Sequence, residues 1–352
     1  MTDPSFEKTA ENTAEIVIEN VIEAFGVPTS LAQVHEHVEP PVRIGVVQHA
    51  WDPDADRLAA WLEAAIAEAA SRGAGIVFLP EITLLRYPAD VIPDPTEAAH
   101  SAEDLATGPS LALARRAAAA NNVFVHVSVF RRADAEDGLG LNTAVIVTPS
   151  GELVAVTNKL HIPVTAGYFE DRYFRPGPSD GAELTPGPYP VYALEQLGRA
   201  RIGLPTCWDE WFPEVARAYS LGGANIVVYP TAIGSEPDHP EFDTMPLWRQ
   251  VIVGNGIANG LFMVVPNRTG QETSDNGEPG LTFYGSSFVS DPYGRILAEA
   301  PRDEPALLVV DLDLEQREDW LDLFPFLRTR RPDTYEALTR PLEEKRPYGG
   351  AA

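Results

Sequence analysis

The chain holds one cysteine, Cys207, which excludes an intrachain disulfide and argues for no oxidising compartment. Its seven histidines show no paired metal-ligand spacing, so no metal and no cofactor are expected. Basic residues are scarce. The 26 Lys and Arg face 52 Asp and Glu, a formal net charge of −26. Such a surface repels phosphate backbones, and nucleic acid is not an expected partner. No apolar run approaches the ~20 residues of a membrane span, so no membrane association is expected. The N-terminus is polar and acidic without a signal-peptide pattern, which makes the cytoplasm the expected location. Neither a Gly-x-Ser-x-Gly elbow nor a phosphate-cradling glycine loop occurs.

What is present is enough apolar sequence, 44% of 352 residues, for a substantial core. Arg43 to Gln48 reads as a buried strand, and Asp52-Pro53 as a helix start with Asp52 as the cap. Leu58, Trp61, Leu62, Ala65, Ile66 and Ala69 then share one helical face. A strand over 75–79 leads to Pro80-Glu81. A helix near 110–120, a strand over 123–130 and a hairpin over 143–157 follow, ending at Asn158-Lys159.

The second half repeats this order. Arg201-Ile202-Gly203 echoes Arg43-Ile44-Gly45, and 223–230 echoes 73–80. A helix over 246–259 precedes strands over 261–265, 286–290 and 295–299. Each half reads strand–helix–strand–helix–strand–strand, with one sheet face left apolar and in need of cover. Stacking the halves sheet on sheet gives an α/β fold, a four-layer α-β-β-α sandwich of two pseudo-symmetric halves. A single doubly wound sheet is the alternative. Residues 1–41 read as an N-terminal helical arm, with an amphipathic helix around Ala14 to Phe25. The main domain spans 42–312, with a last strand over 307–311. Residues 313–352 are charged and proline-interrupted, and are expected to form a C-terminal arm packed on a neighbouring subunit of a homodimer or larger homo-oligomer.

Three ionisable residues stand at the C-terminal ends of apolar strands, where open α/β sheets bind ligands: Glu81, Lys159 and Cys207. Cys207 lies at a strand-to-helix turn, where the first free N–H groups favour thiolate. Its position alone leaves a buried, inert thiol equally open. Together the three make coherent chemistry. A buried carboxylate takes the thiol proton, and an ammonium supports a tetrahedral oxyanion.

The stretches 75–81, 158–163 and 207–214 resemble the carbon–nitrogen hydrolase family, the nitrilase superfamily. The likeness covers roughly residues 42–340 and implies the four-layer fold. It also implies Glu81 as general base, Lys159 as oxyanion stabiliser, Cys207 as nucleophile and Glu170 as a second carboxylate positioning the site. The Trp208 backbone N–H would complete the oxyanion hole. Asn158 before the lysine and Pro205-Thr206 before the cysteine depart from the family pattern. Further likeness over 167–174, 229–237 and 281–288 points to members that hydrolyse N-carbamoyl amines. On this basis Trp208, Asp209, Glu210, Trp211, Tyr87, Thr231 and Ile233 are expected around the substrate. The partner would be a small ureido or amide compound.

Acidic residues crowd the segments after Cys207 and after Ile233, with Asp209, Glu210, Glu236, Asp238, Glu241 and Asp243. They favour a cationic ureido amine such as N-carbamoylputrescine over a carboxylate-bearing one. A β-ureidopropionase, another ω-amidase or a nitrilase is the alternative within the family. A thiol peroxidase would have no use for Glu81 and Lys159, and an amide-binding or assembly domain would not need the trio intact.

Overall fold

The computed structural model describes residues 16–342, apart from 95–97, 99, 181–184, 274–276 and 278, and also residue 348. In chain order the first half contains β1 (Val21–Ala24), β2 (Val42–Ala50), α1 (Ala55–Ser71), β3 (Ile76–Phe78) and α2 (Pro109–Asn121). It ends with β4 (Phe124–Arg131), β5 (Leu141–Val147) and β6 (Leu153–Asn158). The second half begins with β7 (Val191–Ala193), β8 (Arg201–Gly203), α3 (Pro213–Leu221), β9 (Ile226–Val228) and α4 (Met245–Asn259). It continues with β10 (Phe262–Val265), β11 (Arg268–Thr273), β12 (Pro279–Tyr284), β13 (Phe288–Ser290) and β14 (Ile296–Glu299). Last come β15 (Ala306–Leu312) and α5 (Glu315–Leu323).

One sheet runs β1-β15-β2-β3-β4-β5-β6, with β11 and β12 branching from β2; the other runs β14-β13-β10-β9-β8-β7. The halves match in register. Ile44, Ile76 and Phe124 lie side by side in one sheet, as Ile202, Ile226 and Phe262 do in the other. All six face the core between the sheets. Helices α1 and α2 cover the outer face of the first sheet, and α3 and α4 that of the second. This is the four-layer sandwich. Each echoed glycine lets a helix approach its sheet. A Cβ on Gly45 would lie 2.8 Å from the Ala69 Cβ of α1, and one on Gly203 would lie 2.4 Å from the Tyr219 ring of α3.

Three local expectations need correction. Asp54, not Asp52, caps α1 by accepting from the Arg57 N–H at 3.0 Å, while Asp52 pairs with the Arg57 guanidinium. The described part of the expected N-terminal helix, from Ile16, is extended; residues 14 and 15 lie outside the described residues. Its β1 pairs in parallel with β15 and covers that strand's edge. Within β1, Ile22 and Ala24 pack on the inter-sheet core and Val21 on the helical side, the alternation of a strand, and Ile18 ahead of it also packs on the helical side. The third concerns residues after Asp313. Helix α5 lies on this chain's own α3 and α4: the Trp320 indole donates to Ile257 O at 2.9 Å, and Arg317 to Asn259 O at 2.8 Å. Residues 30–37 strap across α5. The buried Asp319 accepts from Ser30 Oγ, the Val34 and His35 N–H groups and His37 Nε2, at 2.7–3.0 Å. No helix among the described residues is long and apolar enough to cross a membrane.

Candidate active site

Glu81 follows β3, Lys159 follows β6 and Cys207 follows β8, so three strand ends from both halves meet at one edge of the sandwich. All three side chains are buried. The Lys159 ammonium donates to Glu81 Oε1 at 3.0 Å and to both oxygens of Glu170 at 2.7 and 2.9 Å. Glu81 is held from three sides. Its Oε1 also accepts from Asn142 Nδ2 at 2.7 Å, and its Oε2 from the Ala232 N–H of the other half at 2.9 Å. Glu170 opens a 3-10 turn and accepts from the Tyr87 hydroxyl at 2.7 Å.

Two carboxylates on one buried ammonium set the electrostatics. Burial alone would lower the Lys159 pKa, but Glu170 and then Glu81 hold it well above the usual lysine range. Glu170 moves up to about 7, chiefly through burial, with Lys159 pulling back and Glu81 pushing further. Burial also pushes the Cys207 thiol well above its ordinary value; Glu81 adds to this, and Lys159 opposes it. The expectation of a turn that favours thiolate is thus corrected. Cys207 opens a five-residue 3-10 turn, Cys207–Trp211, ahead of α3, rather than the first turn of a long helix whose dipole could act on the thiol. A protonated thiol needs a base beside it, the task expected of Glu81. Cys207 has φ +40°, a strained value for a residue with a side chain, and its N–H donates to Pro230 O at 3.1 Å.

The residues expected around the substrate divide. Asp209 accepts from the Thr206 N–H at 3.0 Å and from the His161 N–H and Nδ1 at 3.0 and 2.7 Å, so its carboxylate holds the turn. His161 stacks on Phe212 with ring centroids 3.7 Å apart. The Thr231 hydroxyl donates to Pro266 O at 2.9 Å and is likewise structural. Tyr87 acts on Glu170 and is fully buried. Ile233 lies in the apolar cluster that includes Cys207, Trp248 and Tyr284. Trp208 and Trp211 are partly exposed, with ring centroids 6.3 Å apart.

Glu210 is fully buried, and neither carboxylate oxygen accepts a well-formed hydrogen bond among the described residues, although the Trp248 indole lies close enough to act on it. Burial, then Glu81, pushes its carboxyl well above the usual range; Lys159 and the Trp248 indole oppose that. Asp238 and Glu241 are exposed, and Asp243 is exposed and paired with Arg302. Asn142 and Trp248 escaped sequence reasoning, and Tyr284 entered it only as part of the stretch 281–288. Asn142 carried a signal, as a polar residue inside the strand Leu141–Val147.

The family model for carbon–nitrogen hydrolases matches residues 43–322. The chain is 33% identical over 299 residues to an N-carbamoylputrescine amidase of Arabidopsis thaliana, covering 84% of this chain and 95% of that protein. It is 33% identical over 300 residues to a citrullinase of Francisella tularensis, covering 85% and 98%. The crystal structure of a carbon–nitrogen hydrolase from Helicobacter pylori aligns with a TM-score of 0.74 at 31% identity, over 86% of this chain and 99% of that one. The chain therefore belongs to the carbon–nitrogen hydrolase family of the nitrilase superfamily, hydrolases of carbon–nitrogen bonds other than peptide bonds.

Proposed function

We propose that the protein hydrolyses the ureido group of a cationic N-carbamoyl amine, with N-carbamoylputrescine as the foremost substrate, through a covalent intermediate on Cys207. The observation that carries this reading is the buried Lys159 shared by Glu81 and Glu170 at the strand ends that also deliver the thiol. Glu81 takes the thiol proton as sulfur attacks the ureido carbon. The oxygen gains negative charge beside Lys159 and the Trp208 N–H. Collapse of this adduct breaks the bond to the terminal nitrogen, which leaves as ammonia with the proton from Glu81. A water then gives a proton to Glu81 and its oxygen to the carbonyl carbon. The carbon–sulfur bond breaks as Glu81 returns that proton to the departing sulfur, and the freed carbamic acid loses CO2 to leave the amine.

Charge supports the choice of substrate. The groups whose charges act on Cys207 most strongly are Glu81, Lys159, Glu210 and Glu170, three carboxylates against one ammonium. Glu81 and the ionised form of Glu170 would repel a substrate carboxylate here, whereas Glu210 is held toward its protonated form by burial and Glu81. Glu210, raised by burial and without a well-formed hydrogen bond among the described residues, would ionise as a terminal ammonium comes beside it. The argument rests on Glu210 rather than on Asp209 or the exposed acids after Ile233.

The test compares kcat/KM for N-carbamoylputrescine, N-carbamoyl-β-alanine and citrulline. N-carbamoylputrescine should lead, and Glu210→Gln should lose about tenfold to a hundredfold on it, as a charged hydrogen bond contributes ~1.5–3 kcal/mol. A preference for N-carbamoyl-β-alanine would overturn the substrate while leaving the thiol chemistry in place.

A further inference from the structure

Behind the active site lies a fully buried arginine, Arg268, the first residue of β11. Its donors converge on the segment that carries Glu81. Nε donates to Glu81 O at 3.1 Å, and Nη2 donates to Ile82 O and to Leu85 O, the latter at 2.6 Å. Nη1 pairs with Glu272, whose other oxygen accepts from the Tyr87 N–H at 2.7 Å. Tyr87 in turn holds Glu170. One guanidinium and its counter-ion thus grip residues 81–87 from Glu81 to Tyr87.

The gripped segment is under strain. Ile82 is β-branched yet has φ +47°, a conformation that costs on the order of 1–3 kcal/mol and persists only where the surroundings over-determine it. Ser128 supplies the opposite side, accepting from the Ile82 N–H at its Oγ and from the Thr83 N–H at its carbonyl, at 3.0 and 2.9 Å. Donors that diverge in one plane, to three carbonyls and a carboxylate, are a property of guanidinium that an ammonium lacks. The branch of β11 from β2, at Arg268↔His49, brings that fork to this place.

We propose that Arg268, supported by Glu272, is a positioning residue that holds the strained segment and so sets where the Glu81 carboxylate meets the thiol and where Tyr87 meets Glu170. The inference rests on the assignment of Glu81 as base. Displacement of a reacting group by ~1 Å can lower a rate about a hundredfold.

The test uses the full-length protein. Arg268→Ala should melt cooperatively, lose about a hundredfold in kcat and keep KM within about threefold. Arg268→Lys should recover little of that loss, whereas added guanidinium, below denaturing concentration, should restore turnover to Arg268→Ala. If Arg268→Ala does not fold, Glu272→Gln provides the reading, with kcat down about tenfold at unchanged KM. A folded Arg268→Ala with kcat within about threefold of wild type overturns the proposal, as does a loss residing in KM that guanidinium leaves unchanged. For Glu272→Gln, kcat within about threefold of wild type overturns it too. Glu81→Gln, assayed alongside, reports on the underlying assignment. Wild-type turnover there defeats the base, whereas an inactive Glu81→Gln beside a fully active Arg268→Ala defeats only the clamp.

Discussion

The roles proposed for Cys207, Glu81 and Lys159 are ones that single substitutions separate. Cys207→Ala swaps one small buried side chain for another, so turnover should vanish while the melting curve stays. Glu81→Gln and Lys159→Met should each cost about a hundredfold or more, the scale of a lost base or oxyanion donor. Near-wild-type turnover of Lys159→Met would remove that lysine from the mechanism. Glu170 adds a pH dependence. Its ionised form holds Lys159, and it titrates at about 7, so kcat/KM should fall as pH drops through that value. The Tyr87 hydroxyl lowers the Glu170 pKa. Tyr87→Phe should therefore move the acid limb of the pH–rate profile to higher pH. A limb that does not move belongs to another group.

At the scale of the element, the two halves make the same packing decision at Gly45 and Gly203, where a helix lies almost on the strand backbone. Gly45→Ala would press on Ala69 and Gly203→Ala on the Tyr219 ring, both in fully packed surroundings. Each should cost ~1–3 kcal/mol, the range for overpacking a core, read as a lower urea midpoint. An unchanged midpoint would mean that the helices can retreat. The strand β1 shows how weak local preference is over ten residues. Ile16, Ile18, Val21, Ile22 and Phe25 fit a helical face about as well as an alternating strand. The open edge of β15 and the β-branched composition settle the matter.

For the whole molecule, the N-terminal strap and α5 close on each other through His37, whose two ring nitrogens face Asp313 and Asp319 at 2.5 and 2.7 Å. A neutral imidazole could donate to only one of them. Burial lowers the His37 pKa, but the hydrogen bonds with Asp319 and Asp313 outweigh it and raise the pKa above 6.5. The stabilisation is thus whole below the unfolded value near 6.5 and is lost as pH rises through the higher folded one. The melting-temperature gap between wild type and His37→Ala should be wider near pH ~6 than near pH ~9. Equal gaps would leave the strap without a charged histidine. Beyond α5, the chain exposes Phe324, Leu338 and Leu342. Such surface in a charged, proline-interrupted segment is expected to pack on a second copy, and sedimentation should give a dimer or larger at micromolar concentration. A monomer would contradict it.

Periodicity, turn residues and the echo of 43–45 in 201–203 carry the sandwich, because each sheet has one apolar face that only a partner sheet can cover. Strand ends carry the placement of Glu81, Lys159 and Cys207, because a ligand edge follows from parallel strands. Local pattern does not carry which donor meets which acceptor. Glu81 meets Asn142 across 61 residues, Ala232 across 151 and Arg268 across 187. Asp209 and Glu210 are neighbours of the same charge type, yet one is taken up by the turn and the other is buried beside the Trp248 indole without a well-formed hydrogen bond among the described residues. The backbone of a single turn sends them to opposite tasks. Whether an acid is structural or functional depends on the partners that reach it, and those come from other elements.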